Sequence, residues 1–201
     1  MGILELVQGP QDRAVSRDLA KKFLRVDTTA DDDRIDALLL AAEQRFDGAE
    51  GILARALRAQ TWRLNLSDWP VNAISLPLPP TIEVTEIDYL DSSFVRQTLS
   101  TDYYRVTPGG MMQGSDVRLA YGKAWPACYS GEPDAVRVTF DCGYTEPASP
   151  ADNPVPEPIT QAIIMLAQSW YDRPGLEDIP EVCVTLTAPF RCRRTGNLYL
   201  S

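Results

Sequence analysis

The chain has 201 residues, 44% of them hydrophobic, with 28 acidic residues against 19 basic ones, a net charge of -9 and no histidine. That length and hydrophobic share fit one globular domain, or one domain with a sizeable excursion, and exclude a wholly disordered chain. The acidity speaks against a basic grip on duplex DNA, and the missing imidazole removes Ser-His-Asp and Cys-His triads, His-ligated zinc and His acid/base chemistry.

In chain order, a polar leader comes first. Ser16 is then placed to cap a short amphipathic helix carrying Leu19, Phe23, Leu24 and Val26. Asp31, Asp32 and Asp33 precede Ile35, Leu38, Leu39, Ala42 and Phe46, whose i, i+3, i+4 spacing predicts a helix with one apolar stripe. Gly48 and Gly51 interrupt that pattern before Ile52, Leu53, Ala56 and Leu57 resume it. Two glycines three apart predict a long helix followed by a short one rather than one continuous rod.

From Gln60 the period changes to two: Trp62, Leu64 and Leu66 alternate with Arg63, Asn65 and Ser67, as in a half-buried strand. The prolines of Trp69-Pro70 and Leu76-Pro77-Leu78-Pro79-Pro80 break regular pairing, because proline cannot donate to a ladder. Further strands are predicted at Thr81 to Tyr89, Tyr103 to Thr107, Asp116 to Ala120 and Ala135 to Tyr144. In the first of these the apolar positions switch phase between Ile82/Val84 and Ile87/Tyr89, which predicts a bulge. Asp91-Ser92-Ser93, Pro108-Gly109-Gly110 and Ser130-Gly131-Glu132-Pro133 supply turns, so this region reads as a meander between helical parts.

After a proline-rich linker from Pro147 to Pro156, Pro158 suits a first helical turn. Ile159, Ile163, Leu166 and Trp170 then stripe a helix that ends by Pro174-Gly175. No acidic residue follows Glu181, while Arg191, Arg193 and Arg194 surround Cys192, so the tail is expected to be either frayed or docked on a partner. The expected class is α+β: a small helical bundle with an inserted antiparallel β region and an extended C-terminal tail. Its parts are N-terminal helices over 14–60, a β-rich insertion over 61–146, a helix over 155–174 and a partner-docking tail over 181–201.

Catalytic, cofactor and metal sites are not expected. The cysteines, Cys128, Cys142, Cys183 and Cys192, lie 14, 41 and 9 apart with no C-x-x-C pair, against zinc-ribbon and thioredoxin-like readings. Met1 to Gln60 contains no basic segment followed by an unbroken apolar run, and no stretch approaches a membrane span. Assembly in a reducing cytoplasm, with free thiols and no membrane partner, is therefore expected. An EF-hand counted from Asp31 would need Gly and Glu where Asp36 and Ala42 stand, so capping and dipole complementarity explain the acidic cluster better. Neither phosphate-binding glycine motif occurs, and no spacing selects a catalytic pair of carboxylates. Cys192 among arginines would have a depressed thiol pKa only if exposed, and it has no partner base. Trp62, Trp69, Trp125 and Trp170, with Tyr103 and Tyr104, read as core or interface anchors rather than as a base-stacking platform.

Several stretches in order carry a resemblance. They are Leu19 to Asp27 (LAKKFLRVD), Asp32 to Leu39 (DDRIDALL), Gln60-Thr61-Trp62-Arg63-Leu64, Asp68-Trp69-Pro70, and Leu76 to Pro80 followed by Asp88-Tyr89-Leu90-Asp91. Trp125-Pro126, Ala135 to Phe140 with Gly143-Tyr144, Val155 to Ile159 and Ala188-Pro189-Phe190-Arg191 complete the series. From about Ala14 to Arg194 the chain resembles the head-tail connector, or adaptor, proteins of long-tailed phages and phage-derived gene transfer agents. Two places depart from the pattern: Ser93-Phe94 stands where such proteins often have a glycine turn, and Glu181 to Thr187 is β-branched where many relatives look helical.

The resemblance implies a virion protein of the neck, not an enzyme. It would assemble as a ring, of twelve copies, beneath the capsid portal, extend the DNA channel and offer a platform to a tail-side stopper or tail terminator protein. DNA would pass through without specific binding. The resemblance implies portal contact by the C-terminal part, here Ala188, Pro189, Phe190, Arg191, Arg193 and Arg194. Twelve copies at -9 carry about -108 charges, which keeps DNA from sticking to a conduit, and lumen-facing acids are expected among Asp31, Asp32, Asp33 and Asp36. The alternatives are a monomeric β-rich binding module, a DNA-packaging accessory factor of a mobile element, and an enzyme using only carboxylates.

Overall fold

The structure, a computed structural model, describes residues 2–109, 113–145, 154–175, 178–192 and 198–200. The α+β class stands. The chain divides into two compact units, one of residues 11–58 and 144–191, the other of 1–10, 59–143 and 192–201.

The first unit is helical. Helix α1 (Arg17–Leu24) opens where expected: the Ser16 side chain accepts from the Leu19 amide at 3.3 Å, and Arg25 closes the helix in a left-handed conformation. Helix α2 (Asp32–Phe46) buries Ile35, Leu39, Ala42 and Phe46, the stripe read from the sequence. Helix α3 (Glu157–Asp172) carries its proline in the first turn and buries Ile159, Ile163 and Leu166. Helix α4 (Glu181–Thr187) packs on α3 through Cys183 and Thr187.

The short helix expected after Gly51 does not form. Gly48 takes φ 76° and Ala54 φ 51°, and a side chain at Gly51 would collide with the main-chain oxygens of Phe46 and Asp47. The chain instead folds back over the end of α2. The Ile52 amide donates to the Arg45 carbonyl at 3.0 Å, and the Asp47 carboxylate accepts from the Leu57 amide at 2.6 Å. Leu53 and Leu57 still join the core with Ile35, Leu39, Ile159 and Ile163. Their burial, read from the sequence as a helical stripe, is met by a compact turn.

The second unit is the β unit. Its six-stranded sheet has the order β5-β4-β8-β2-β1-β9, formed by β1 (Gly2–Gln8), β2 (Gln60–Leu66), β4 (Thr81–Leu90), β5 (Arg96–Thr98), β8 (Val136–Cys142) and β9 (Leu198–Leu200). A three-stranded sheet has the order β3-β7-β6, formed by β3 (Ala73–Ser75), β6 (Tyr104–Thr107) and β7 (Asp116–Leu119). Strand β8 alternates perfectly, with Val136, Val138, Phe140 and Cys142 buried and in register with Leu66, Leu64, Trp62 and Gln60 of β2. Strand β4 pairs with β8 across register shifts at Thr81/Glu83 and Val84/Glu86, the bulge predicted from its phase switch.

Three expectations change here. The leader is not polar coil: its apolar Leu4 and Ile3 make β1, which pairs antiparallel with β2. The strands do not run as a simple meander, because β8 inserts between β4 and β2. The tail does not end as a free extension, since Leu198–Leu200 pair in parallel with Gly2, Ile3 and Leu4 of β1. The second glycine of the Gly109-Gly110 turn lies outside the described residues.

Candidate assembly surfaces

The acidic cluster at the start of α2 is held by cations and by one phenol. Asp32 meets Lys21 Nζ at 2.6 Å and Arg17 at 3.1 Å, and Asp36 meets Arg17 at 3.5 Å. The hydrogen bond from Lys21 keeps the Asp32 carboxyl below its ordinary range. Asp31 makes no side-chain cap of the helix; its carboxylate accepts from Tyr171 Oη at 2.9 Å, which pushes the Tyr171 hydroxyl pKa up. The Arg34 guanidinium stands 4.5 Å over the Tyr171 ring and donates to the Tyr171 carbonyl at 3.0 Å. These contacts tie α1 and the end of α3 to the start of α2. Of the four acids, Asp33 is exposed and makes no ion pair among the described residues.

In the same helical unit, α4 turns into a short 3-10 segment, Ala188–Phe190. Ala188, Pro189 and Arg191 are exposed, while Phe190 is half-buried against the helical core. Arg193 and Arg194 lie outside the described residues. Cys192 is buried, so the exposure that a reactive thiol needs is not met. A feature that sequence reading missed is the pair of flanks of α4, where Val182 and Val184, on either side of the buried Cys183, stand 44% and 42% exposed. Its signal was present in the β-branched run, which is unusual in a helix with no buried partner for it.

The β unit offers an aromatic projection. The Asp91 carboxylate accepts from the amides of Ser93 and Val95 at 2.8 and 3.0 Å, and those bonds, Val95 first, lower its pKa. Within this turn Phe94 takes φ 63°, a left-handed conformation that favours glycine. Phe94 is 57% exposed and meets Tyr129 edge-on at 5.2 Å, with exposed Val95 beside it. The Ser93-Phe94 departure noted in the sequence is therefore a strained, outward-facing aromatic. Trp69 and Trp125, by contrast, stack on each other at 4.5 Å with Tyr89 tilted beside Trp69, so their faces already serve packing.

Two further facts bound the chemistry. Among the described residues, no group of three or more His, Cys, Asp or Glu side chains is placed to hold a metal ion. No helix of the described residues is long and apolar enough to cross a membrane.

No family model and no curated protein sequence matches the chain. Solved structures do. The chain is similar to one in the neck of an empty GTA particle computed with C6 symmetry, at 22% identity and a TM-score of 0.71, over 97% of this chain and 98% of that one. It is similar to a chain in the virion of a native gene transfer agent (GTA) particle, at 23% identity and a TM-score of 0.72, over 96% and 97% of the two chains. A third likeness is to a chain in the neck of a native GTA particle computed with C12 symmetry, at 20% identity and a TM-score of 0.62, over 97% and 98%. At these identities the likeness establishes the fold, and it does so from end to end.

Proposed function

We propose that the protein is a head-tail connector of a phage-like particle, a structural component of the neck that joins head to tail. The observation that carries this reading is the full-length likeness to chains of gene transfer agent necks and virion, whose two units both match. The ordered motif series read from the sequence supports the same family independently of the fold. In this reading twelve copies close a ring around a DNA channel beneath the portal; that the similar neck structures were computed with C6 and C12 symmetry supports a multi-subunit ring.

In this reading Ala188, Pro189, Phe190, Arg191, Arg193 and Arg194 contact the portal, and a tail-side stopper or terminator protein docks on the opposite rim. Ala188, Pro189 and Arg191 have the exposure that contact needs, whereas Phe190 braces the segment from within. Asp31, Asp32, Asp33 and Asp36 face the lumen. Asp31 and Asp33 carry the unpaired charge there, because Lys21 and Arg17 serve Asp32 and Asp36 while the Tyr171 phenol gives Asp31 a hydrogen bond and no counter-charge. The negative field repels passing DNA instead of holding it.

The test is electron microscopy of the full chain mixed with the portal protein of the same particle. Rings seated on portal are expected. Truncation after Thr187 is a poor probe of the portal contact, since it also removes the residues that pair with β1. Reversing Arg191, Arg193 and Arg194 to Glu is cleaner and should abolish portal capture with the melting temperature unchanged. Compact monomers that never bind portal would overturn the connector reading.

A further inference from the structure

The helical unit carries an open groove of about 450 Å³ along the end of α3. Met165, Ile179 and Pro180 are half-buried and give it an apolar floor, while Asp172, Asp178 and Arg173 stand exposed at its rim. A groove of this size accommodates a large side chain with its neighbours, and its carboxylates outnumber its one guanidinium.

The β unit holds a projection of matching chemistry. After β7 the chain makes a tight turn in which the Lys123 amide donates to the Ala120 carbonyl at 3.1 Å and Gly122 takes φ 72°. A positive φ at the third residue is the mark of a type II turn. The turn holds Tyr121 at 100% exposure, its whole side chain in solvent. Lys123 Nζ sits 4.6 Å over the Tyr103 ring, which orders the ammonium beside the turn without neutralising it. No carboxylate pairs with Lys123 among the described residues.

We propose that Tyr121 and Lys123 of one copy dock in the Asp172–Asp178 groove of the next copy. The tyrosine ring covers Met165, Ile179 and Pro180, and the ammonium meets the rim carboxylates. This inference rests on the ring reading above and names its subunit contact. A rigid tyrosine beside a cation is the residue pattern of an interface anchor, because it buries a large area with little rotamer entropy to lose. A ring closed head to tail also requires two dissimilar patches, and these lie on different units of the chain. The Phe94 projection is the weaker occupant: its turn carries Asp91, which would bring carboxylate against carboxylate.

The experiment is zero-length carbodiimide cross-linking of full-length protein, alone and on portal, using an equal mixture of unlabelled and 15N-labelled copies so that cross-links between copies are identified by mass. A Lys123–Asp172 or Lys123–Asp178 amide between copies is expected, reduced at least tenfold by Tyr121→Ala, whose side chain touches nothing needed for folding. Lys123→Glu should weaken assembly, and combining it with Asp172→Lys and Asp178→Lys should restore it. Rings that form with cross-links elsewhere, or with no effect of these substitutions, overturn this contact and leave the connector reading standing. Absence of any oligomer, alone or on portal, overturns both.

Discussion

Strand β8 and helix α4, seven residues each, share two valines, a threonine and a cysteine. VRVTFDC and EVCVTLT are both rich in β-branched side chains and both contain a cysteine, yet one is the central strand of the β unit and the other a helix of the helical unit. In β8 the large apolar groups Val136, Val138 and Phe140 fall on alternate positions, and β2 and β4 flank it on both sides. In α4 the two buried residues, Cys183 and Thr187, are four apart, which suits a helix packed on α3. Pro180 precedes Glu181 in the first turn, and the Thr187 hydroxyl donates to the Cys183 carbonyl at 2.8 Å. Tertiary burial at a spacing of two or of four decides the conformation, and the β-branched propensity is overruled where the spacing is four.

The largest way to test that contrast is Phe140→Ala. Phe140 is fully buried at the centre of the sheet, opposite Trp62, and its truncation should cost about 3–5 kcal/mol in denaturant unfolding. A loss below about 1 kcal/mol would mean that the β unit does not depend on β8 as its core.

A smaller effect separates the units by charge. Glu43 of the helical unit is buried, accepts from the Val15 amide at 3.0 Å and has Arg13 only at 4.0 Å; burial pushes its pKa up. The folded state therefore holds the Glu43 proton more tightly than the unfolded chain does. Stability from this site rises as pH falls from neutrality through the raised value, opposite in sign to Asp32, whose lowered pKa loses stability on acidification. Asp88 of the β unit is also raised by burial, but Arg96 lies 2.8 Å away and opposes the shift. Glu43→Gln should stabilise at pH 7 and flatten the stability profile between pH 7 and the carboxylate range. An unchanged slope would show that the Val15 bond cancels the effect of burial at Glu43, and a steeper rise of stability on acidification in the variant would show that the bond outweighs it.

Much of this fold was legible in the sequence. The apolar stripes of α2 and α3, the Ser16 cap, the alternation of β2 and β8 and the bulge in β4 all follow from local spacing and turn chemistry. What escaped is non-local. Strand β1 was hidden because only its first half is buried, with Glu5 to Gln8 exposed. Strand β3 has three residues between proline-containing loops, and β9 gains its conformation only from pairing with β1. Ile52 to Leu57 carried the apolar spacing of a helix, but the glycine contacts at the end of α2 settle the backbone. The surface features needed side-chain exposure: no pattern in the sequence reveals that Tyr121 stands free while Trp69 is stacked.

The smallest stability effect is expected on the two exposed flanks of α4. Val182 and Val184 are only partly covered, so replacing both by Ala removes less buried area than at a core valine, and alanine offsets that loss as the better helix former by roughly half a kcal/mol per residue. The double variant should therefore fold with stability within about 0.5 kcal/mol of the original or slightly above it. If α4 keeps valine only because the site tolerates it, portal capture will be unchanged as well. If the valines are retained because either flank meets a neighbour in the neck, capture should fall at least tenfold while the unfolding midpoint holds or rises. That second outcome would assign at least one flank of α4 to a contact in the particle, and the two single variants would say which. It would also explain why a helix carries the composition of a strand: in the assembled particle the valine at that contact would be buried, as Val136 and Val138 are in the isolated chain.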